Sequence, residues 1–229
     1  SSAQECADLM IDCFNLSERY RNPVIFLMDG EIGHLRERVV FPHPGEVECF
    51  PRRHAKEGEL VFGGEPVPPM REFGQGGFVH VTGSTHLESG MRDVQTQEVH
   101  DRLVRRLVGK IEDARDDIAE VENDPQDGAR VGVLAYGATA RPAKGAVLAA
   151  RAEGWQVGFC RPITIWPFPA RQVREACAGL DRLLVPEMNL GQLALLIRAK
   201  YLKDAITFAK VEGRPFRISD VRAKIEELV

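Results

Sequence analysis

Apolar positions fall into two regimes along the chain. Over residues 3–20, Cys6, Leu9, Met10, Cys13, Phe14 and Ser17 recur at steps of three and four, so one face of a helix is predicted there. Asn22-Pro23 stops it. Val24-Ile25-Phe26-Leu27-Met28 is then unbroken apolar sequence, which predicts a strand buried on both faces of a parallel sheet, with Asp29-Gly30 at its carboxyl end. Helical spacing returns over residues 97–122, where Val99, Leu103, Leu107, Ile111, Ala114, Ile118 and Val121 step by 4, 4, 4, 3, 4 and 3. That is the narrow stripe of one long amphipathic helix.

Beyond residue 130 short apolar runs alternate with helical segments. Strands are expected at Val131–Ala135, Gln156–Cys160, Leu183–Val185 and Ile206–Val211. Helices are expected at Thr139–Glu153, Ala170–Ala178, 190–202 and Asp220–Leu228. This alternation predicts an α/β domain with a parallel sheet covered on both faces. Thr139 and Ser219 stand where N-caps belong, and Gly154 where a helix ends.

Residues 41–78 obey neither period. Six of the 14 prolines and seven glycines fall there, 13 of 38 residues, which excludes long helices and central strands and predicts an extended excursion. Phe78-Val79-His80-Val81-Thr82-Gly83 reads as a short strand closing it. In the helix at 97–122 the charges oppose the dipole: Arg102, Arg105, Arg106 and Lys110 lie early, Asp113, Asp116, Asp117, Glu120 and Glu122 late. Packing must hold such a helix. Asn123–Gly128 reads as a domain boundary.

Composition narrows the function classes. The 229 residues are 44% hydrophobic and 28% charged, with a net charge of −4, as in a globular soluble chain. The acidic balance argues against a nucleic-acid partner, and no apolar run nears the ~20 residues of a membrane span. The five cysteines, at 6, 13, 49, 160 and 177, make no Cys-x-x-Cys, which argues against an iron–sulfur or structural zinc site in this chain. Cys6, Cys13 and Cys177 read as buried reduced thiols, consistent with a cytoplasmic protein. No histidine pair has metal-ligand spacing; His86 and His100 are the two of interest. The chain opens Ser-Ser-Ala-Gln, and a helix followed by a lone strand is half of an α/β unit, so a piece of a longer chain is expected.

Ligands meet parallel sheets at the carboxyl ends of strands. The loop Tyr136-Gly137-Ala138-Thr139 leads into a helix, where Gly137 and Thr139 could hold an anion or simply form a capped turn. In Arg161-Pro162-Ile163-Thr164-Ile165-Trp166-Pro167-Phe168-Pro169 three prolines stiffen the backbone, and the aromatics suit either a subunit contact or a lid on the sheet edge. In Val185-Pro186-Glu187-Met188-Asn189-Leu190-Gly191-Gln192 three polar side chains converge on a strand tip, as an interface or as local helix capping.

Those last two loops, with Gly137-Ala138-Thr139, resemble the C-terminal domain of the alpha subunit of 2-oxoacid:ferredoxin oxidoreductases. Val81-Thr82-Gly83-Ser84-Thr85-His86-Leu87-Glu88-Ser89-Gly90 is similar to the V-T-G-x-x-H-x-x-x-G segment of the 2-oxoglutarate and branched-chain members. Pro23–Asp29 resembles the end of their pyrimidine-binding domain. The resemblance implies the tail of a thiamine pyrimidine-binding domain at 1–40, a linker with the long helix at 41–128, and a transketolase C-terminal-like α/β domain at 129–229. It implies an enzyme that decarboxylates a 2-oxoacid, passes electrons to ferredoxin and the acyl group to coenzyme A. Thiamine diphosphate and Mg would belong to the full complex, with a beta subunit carrying the diphosphate and Mg half-site and iron–sulfur clusters in a further subunit or in ferredoxin. None would be bound by this chain alone.

The family's ring-activating glutamate belongs upstream of residue 1, and Asp29-Gly30-Glu31 lacks the downstream Asn-Asn of the magnesium-diphosphate motif. No catalytic residue is therefore expected here. Glu187, Asn189, Gly191, Gln192, Arg161, Thr164 and Trp166 are expected to line a subunit interface or the access to the site. Two other classes remain open: a Rossmann-like module holding coenzyme A or a nucleotide at Gly137–Thr139, and a scaffold whose long helix pairs with a partner.

Overall fold

A computed structural model describes residues 1–77, 79–80, 83–201 and 205–229. Helices α1 (Ala3–Tyr20), α2 (Gly30–His34), α3 (Gln97–Glu112) and the single turn α4 (Arg115–Ile118) precede strands β1 (Val121–Asp124) and β2 (Val131–Leu134). Then follow α5 (Ala140–Ala152), β3 (Val157–Pro162), α6 (Ala170–Ala176), β4 (Arg182–Glu187), α7 (Gln192–Tyr201), β5 (Ala205–Ala209) and α8 (Ile218–Glu226). The chain divides into two compact units, one of residues 1–6, 27–39 and 116–229, the other of 7–26 and 40–115.

The first unit is built on a five-stranded sheet in the order β1-β3-β2-β4-β5. Strands β3, β2, β4 and β5 run parallel, and β1 pairs antiparallel with β3 at the edge. Val131, Val133, Leu183, Leu184 and Val185 are buried because helices cover both faces. On one face, Ala143, Ala146, Val147 and Ala150 of α5 join Val221 and Ile225 of α8 over Val133, Phe159 and Leu184. On the other, Val173 of α6 and Leu193, Ala194 and Ile197 of α7 pack on Leu134, Cys160 and Val185. The row of alanines on α5 brings that helix close to the strands. Gly154, at φ +91°, ends α5, with its N–H bonded to the Arg151 carbonyl at 3.0 Å.

Several expectations change. The helix drawn over 97–122 stops at Glu112, and residues 121–124 form the edge strand. Acidic residues at its carboxyl end would have opposed the dipole, whereas pairing Glu122 with Arg161 across β1 and β3 uses the charge. Val24–Met28 forms no strand: Ile25 is 79% and Leu27 81% exposed. A strand needs a neighbour's hydrogen bonds, and no described strand lies beside it. The strand expected at 78–83 falls on Phe78, Val81 and Thr82, which lie outside the described residues. Thr139 makes no side-chain cap bond, and α8 starts at Ile218, before Ser219; Asp220 accepts the Arg217 N–H at 3.0 Å in its place. Cys160 and Cys177 are buried, Cys6 and Cys13 only half so, and all five cysteines are thiols rather than disulfides.

In the second unit the Pro/Gly-rich segment is organised by side chains. Proline has no N–H and such a path forms little backbone ladder, so its carbonyls need donors from elsewhere. Arg21 donates through Nη1 to the carbonyls of Val61, Pro68 (3.3 Å) and Pro69 (3.0 Å). Arg106 donates to Phe62 (3.0 Å) and Pro66 (3.4 Å), and Lys110 to the Arg21 carbonyl at 2.9 Å. This need turns α3 so that Arg106 and Lys110 face inward beside Val99 and Ile111 of its apolar stripe, while Leu107 of the stripe, with Val104 and Val108 next to it, is exposed. Asn15 of α1 grips the same excursion, donating to the Glu48 carbonyl at 2.8 Å and accepting the Phe50 N–H at 2.7 Å.

Two outcomes are expected in denaturant titrations. Leu184→Ala, in a fully buried position, costs about 3 kcal/mol, whereas Leu148→Ala on the exposed face of α5 costs less than about 0.5 kcal/mol. Burial first, then Arg106 and Arg21, press the Lys110 ammonium from its ordinary 10.5 down to about 8. Between those values the unfolded chain keeps a proton that the folded chain has released. The stability of the native protein relative to Lys110→Met therefore rises as pH is raised from about 8 to about 10.

Candidate functional site

In the first unit β2 leads to α5 on one face of the sheet, and β4, beside it, leads to α7 on the other. Where neighbouring strands send their chains to opposite faces, a crevice opens outside their carboxyl ends. Here it has a volume of about 360 Å³ and is lined by Asp29, Gly30, Glu31, Ala138, Met188, Gly213 and Pro215.

The tip of β4 is occupied by helix capping. Glu187 is fully buried and accepts the N–H groups of Leu193 (2.8 Å) and Ala194 (3.0 Å). Asn189 Oδ1 accepts those of Gly191 (2.8 Å) and Gln192 (2.9 Å). The helical ladder takes over at Leu195, whose N–H bonds to the Gly191 carbonyl at 2.9 Å. Two side chains thus satisfy four donors that a helix start leaves unpaired. Gly191 has φ +91°, and a Cβ there would lie 2.8 Å from Thr207 Cγ2. Asn189 Nδ2 donates to the Tyr136 hydroxyl at 2.9 Å, joining the loops after β2 and β4 across the crevice. Burial, then Glu187 and Asp29, raise the Tyr136 pKa, so the phenol stays protonated.

At the tip of β2, Asp29 is the residue that sequence reasoning missed. Its carboxylate accepts the Ala138 N–H at 2.7 Å, at the helix start proposed for an anion. Gly137 makes room for it: its φ is +58°, and a Cβ would lie 2.6 Å from Asp29 Oδ2. That N–H is therefore spent on the chain's own carboxylate. With Glu31 beside Asp29, the crevice wall carries negative charge, which opposes a phosphate-bearing ligand. An aspartate closing an apolar run and a glycine opening a helix are the only sequence signals of this contact, and they lie far apart.

The remaining loop residues divide by exposure. Arg161 is buried and pairs with Glu5 and with Glu122 (3.2 Å), and Glu122 also pairs with Lys144. Burial pulls the carboxyls of Glu5 and Glu122 upward, but their basic partners outweigh it and hold both below the usual range. Thr164 Oγ1 accepts the Glu120 N–H at 3.0 Å and donates to the Ile118 carbonyl at 3.3 Å. Expected to line a subunit interface or the access to the site, these residues separate by exposure. The side chains of Glu187, Asn189, Arg161 and Thr164 are committed within the chain, and Gly191 is buried. Trp166 (64% exposed) and Gln192 are open, with Ile165, Leu190 (83% exposed) and Leu195 beside them in sequence.

In the second unit, Thr85 Oγ1 and His100 Nδ1 are 3.0 Å apart, and His86 Nδ1 donates to the Leu87 carbonyl at 2.9 Å. Among the described residues no three His, Cys, Asp or Glu side chains are grouped to hold a metal ion.

Two family descriptions match the sequence. Residues 1–106 match the pyruvate flavodoxin/ferredoxin oxidoreductase thiamine diphosphate-binding domain. Residues 129–221 match pyruvate:ferredoxin oxidoreductase core domain II. The chain is 39% identical to 2-oxoglutarate synthase subunit KorA of Methanothermobacter marburgensis over 98% of its length and 61% of the relative's. It belongs to the alpha subunits of the 2-oxoacid:ferredoxin oxidoreductases. Ketoisovalerate oxidoreductase subunit VorB of Methanothermobacter thermautotrophicus is 32% identical, over all of this chain and 58% of that subunit. The backbone is similar to a 2-oxoglutarate:ferredoxin oxidoreductase from Magnetococcus marinus solved with 2-oxoglutarate, coenzyme A and succinyl-CoA bound. The TM-score is 0.86 at 26% identity, covering 99% of this chain and 41% of that one. The chain spans about three-fifths of the length of both of these curated relatives. No described helix is long and apolar enough to cross a membrane.

The cap at Glu187 sets the expected outcome of mutation. Glu187→Ala leaves two buried N–H groups without acceptors and costs about 2–3 kcal/mol; Glu187→Gln keeps one acceptor and costs about 1 kcal/mol. Thermal unfolding measures both.

Proposed function

We propose that this chain is the C-terminal portion of the alpha subunit of a thiamine-diphosphate-dependent 2-oxoacid:ferredoxin oxidoreductase, and that it supplies scaffold and subunit contacts. The enzyme would decarboxylate a 2-oxoacid oxidatively, giving an acyl-CoA and reduced ferredoxin. The observation that carries this reading is one backbone, 99% of which is shared with a 2-oxoglutarate:ferredoxin oxidoreductase chain. The named relatives act on 2-oxoglutarate or ketoisovalerate, so the substrate class is a 2-oxoacid.

Thiamine diphosphate, when bound, supplies the electron sink for decarboxylation. The residues present do not fit it alone. A diphosphate with its divalent cation needs grouped oxygen donors, and no such group of three acidic or imidazole side chains occurs among the described residues. A beta subunit would supply that half-site, and iron–sulfur clusters would reside in a further subunit or in ferredoxin. What this chain's own residues do is positional: Glu187 and Asn189 hold the α7 start, Asp29 holds the 27–39 segment on the α5 start, and Trp166, Leu190 and Leu195 offer apolar surface to a partner. The coenzyme A or nucleotide module fits less well, because Asp29 already fills the helix start such a ligand would use. The scaffold reading loses its long helix, which ends at Glu112.

The test uses the full alpha subunit coexpressed with its beta subunit, beside the 229-residue chain alone. The pair is expected to reduce a viologen dye in the presence of 2-oxoacid and coenzyme A, and the chain alone to give no turnover. Trp166→Ala with Leu190→Ala weakens subunit association at least about tenfold with the fold unchanged. Turnover by the chain alone, or an assembled pair inert towards every 2-oxoacid, would sink the proposal.

A further inference from the structure

Arg21, Arg106 and Lys110 gather in the second unit around residues 61–69, and they differ from the basic groups that sit in ion pairs. Arg151 pairs with Asp124 at 2.9 Å, Arg53 with Glu65 at 2.7 Å and Arg171 with Asp116 at 2.8 Å. Among the described residues, the hydrogen-bond acceptors of Arg21, Arg106 and Lys110 are backbone carbonyls. Carbonyl oxygens satisfy donors but do not cancel charge, so three positive charges stand together half-buried or, for Lys110, 9% exposed. Removing charge from water without a counter-ion is costly.

The electrostatics agree with the geometry. Burial lowers the affinity of all three groups for their protons; Arg106 lowers that of Arg21, and both arginines lower that of Lys110. The charge of Glu88 raises the proton affinity of Arg106, and among the described residues no ion pair joins the two. Donors also remain unspent. Among the described residues, Arg21 bonds through Nη1, leaving Nε and Nη2; Lys110 spends one of three ammonium hydrogens; Arg106 leaves Nε. Both arginines are partly exposed, so solvent reaches them.

We propose that Arg21, Arg106 and Lys110 form an oxyanion site, taking a phosphate group or a carboxylate as the counter-ion that the fold itself does not provide. The carbonyl bonds then have a second purpose: they hold three flexible cations in place before the anion arrives, so less side-chain entropy is lost on binding. This inference does not depend on the activity proposed above.

Titration calorimetry on the 229-residue chain tests it, with inorganic phosphate in one arm and glutarate in another, ionic strength held constant with chloride. Saturable binding is expected in at least one arm, and the arm that responds names the source. Lys110→Met and Arg106→Gln weaken it at least about tenfold, as for a lost hydrogen bond to a charged group. Lys110→Arg retains it, and Arg130→Gln, whose side chain pairs with Asp181 in the other unit, leaves it unchanged. The ligand also protects Lys110 from an amine-modifying reagent, read by mass spectrometry. Circular dichroism checks each fold, and if Lys110→Met fails to fold, Arg106→Gln and the protection experiment decide. No saturable heat in either arm, or binding indifferent to Arg106→Gln, overturns the proposal.

Discussion

Backbone groups that secondary structure leaves unpaired govern much of this protein. At the carboxyl edge of the parallel sheet, α7 must begin against buried strand ends, where its first N–H groups need acceptors and those of Leu193 and Ala194 are buried from water. Glu187 and Asn189 take four of them, from Gly191 to Ala194. The position of α7 over Leu134, Cys160 and Val185 depends on this, as does the link from Asn189 to Tyr136 across the crevice. A buried carboxylate is tolerable because it accepts two N–H bonds at the positive end of a helix dipole.

The same rule with the sign reversed shapes the second unit. There the orphan groups are carbonyls, left over because prolines supply no N–H, and the donors are Arg21, Arg106 and Lys110. This explains an apparent fault in α3, which hides cations and exposes Val104, Leu107 and Val108. Hydrophobic periodicity assumes that apolar side chains compete only with polar ones facing water. Here polar side chains had inward work to do. The stripe read from the sequence therefore located the helix and, through Val99 and Ile111, much of its inner face, but not the inward turn of Arg106 and Lys110.

For function, the consequence is that the most conspicuous polar loop is internal. Glu187, Asn189 and Arg161 look like site residues because they are polar and cluster at strand ends, yet each is consumed by a helix start or an ion pair. What the unit presents outward near those loops is apolar: Trp166, Leu190 and Leu195.

The sequence by itself determined the α/β domain, because Val131–Ala135, Gln156–Cys160 and Leu183–Val185 are short, largely apolar runs separated by helices, and local period is enough to name such elements. It determined the family too, through contiguous segments such as Glu187–Gln192. It marked Pro66, Pro68 and Pro69 as a region without regular structure. Tertiary structure alone decided where the polar groups point. Whether Glu187 faces a partner or a helix start, whether Lys110 faces water or carbonyls, and whether the Ala138 N–H is free or held by Asp29 depend on partners up to 109 residues away. Such pairings leave no period in the chain, and hydrogen bonding selects them only after packing has brought the groups together.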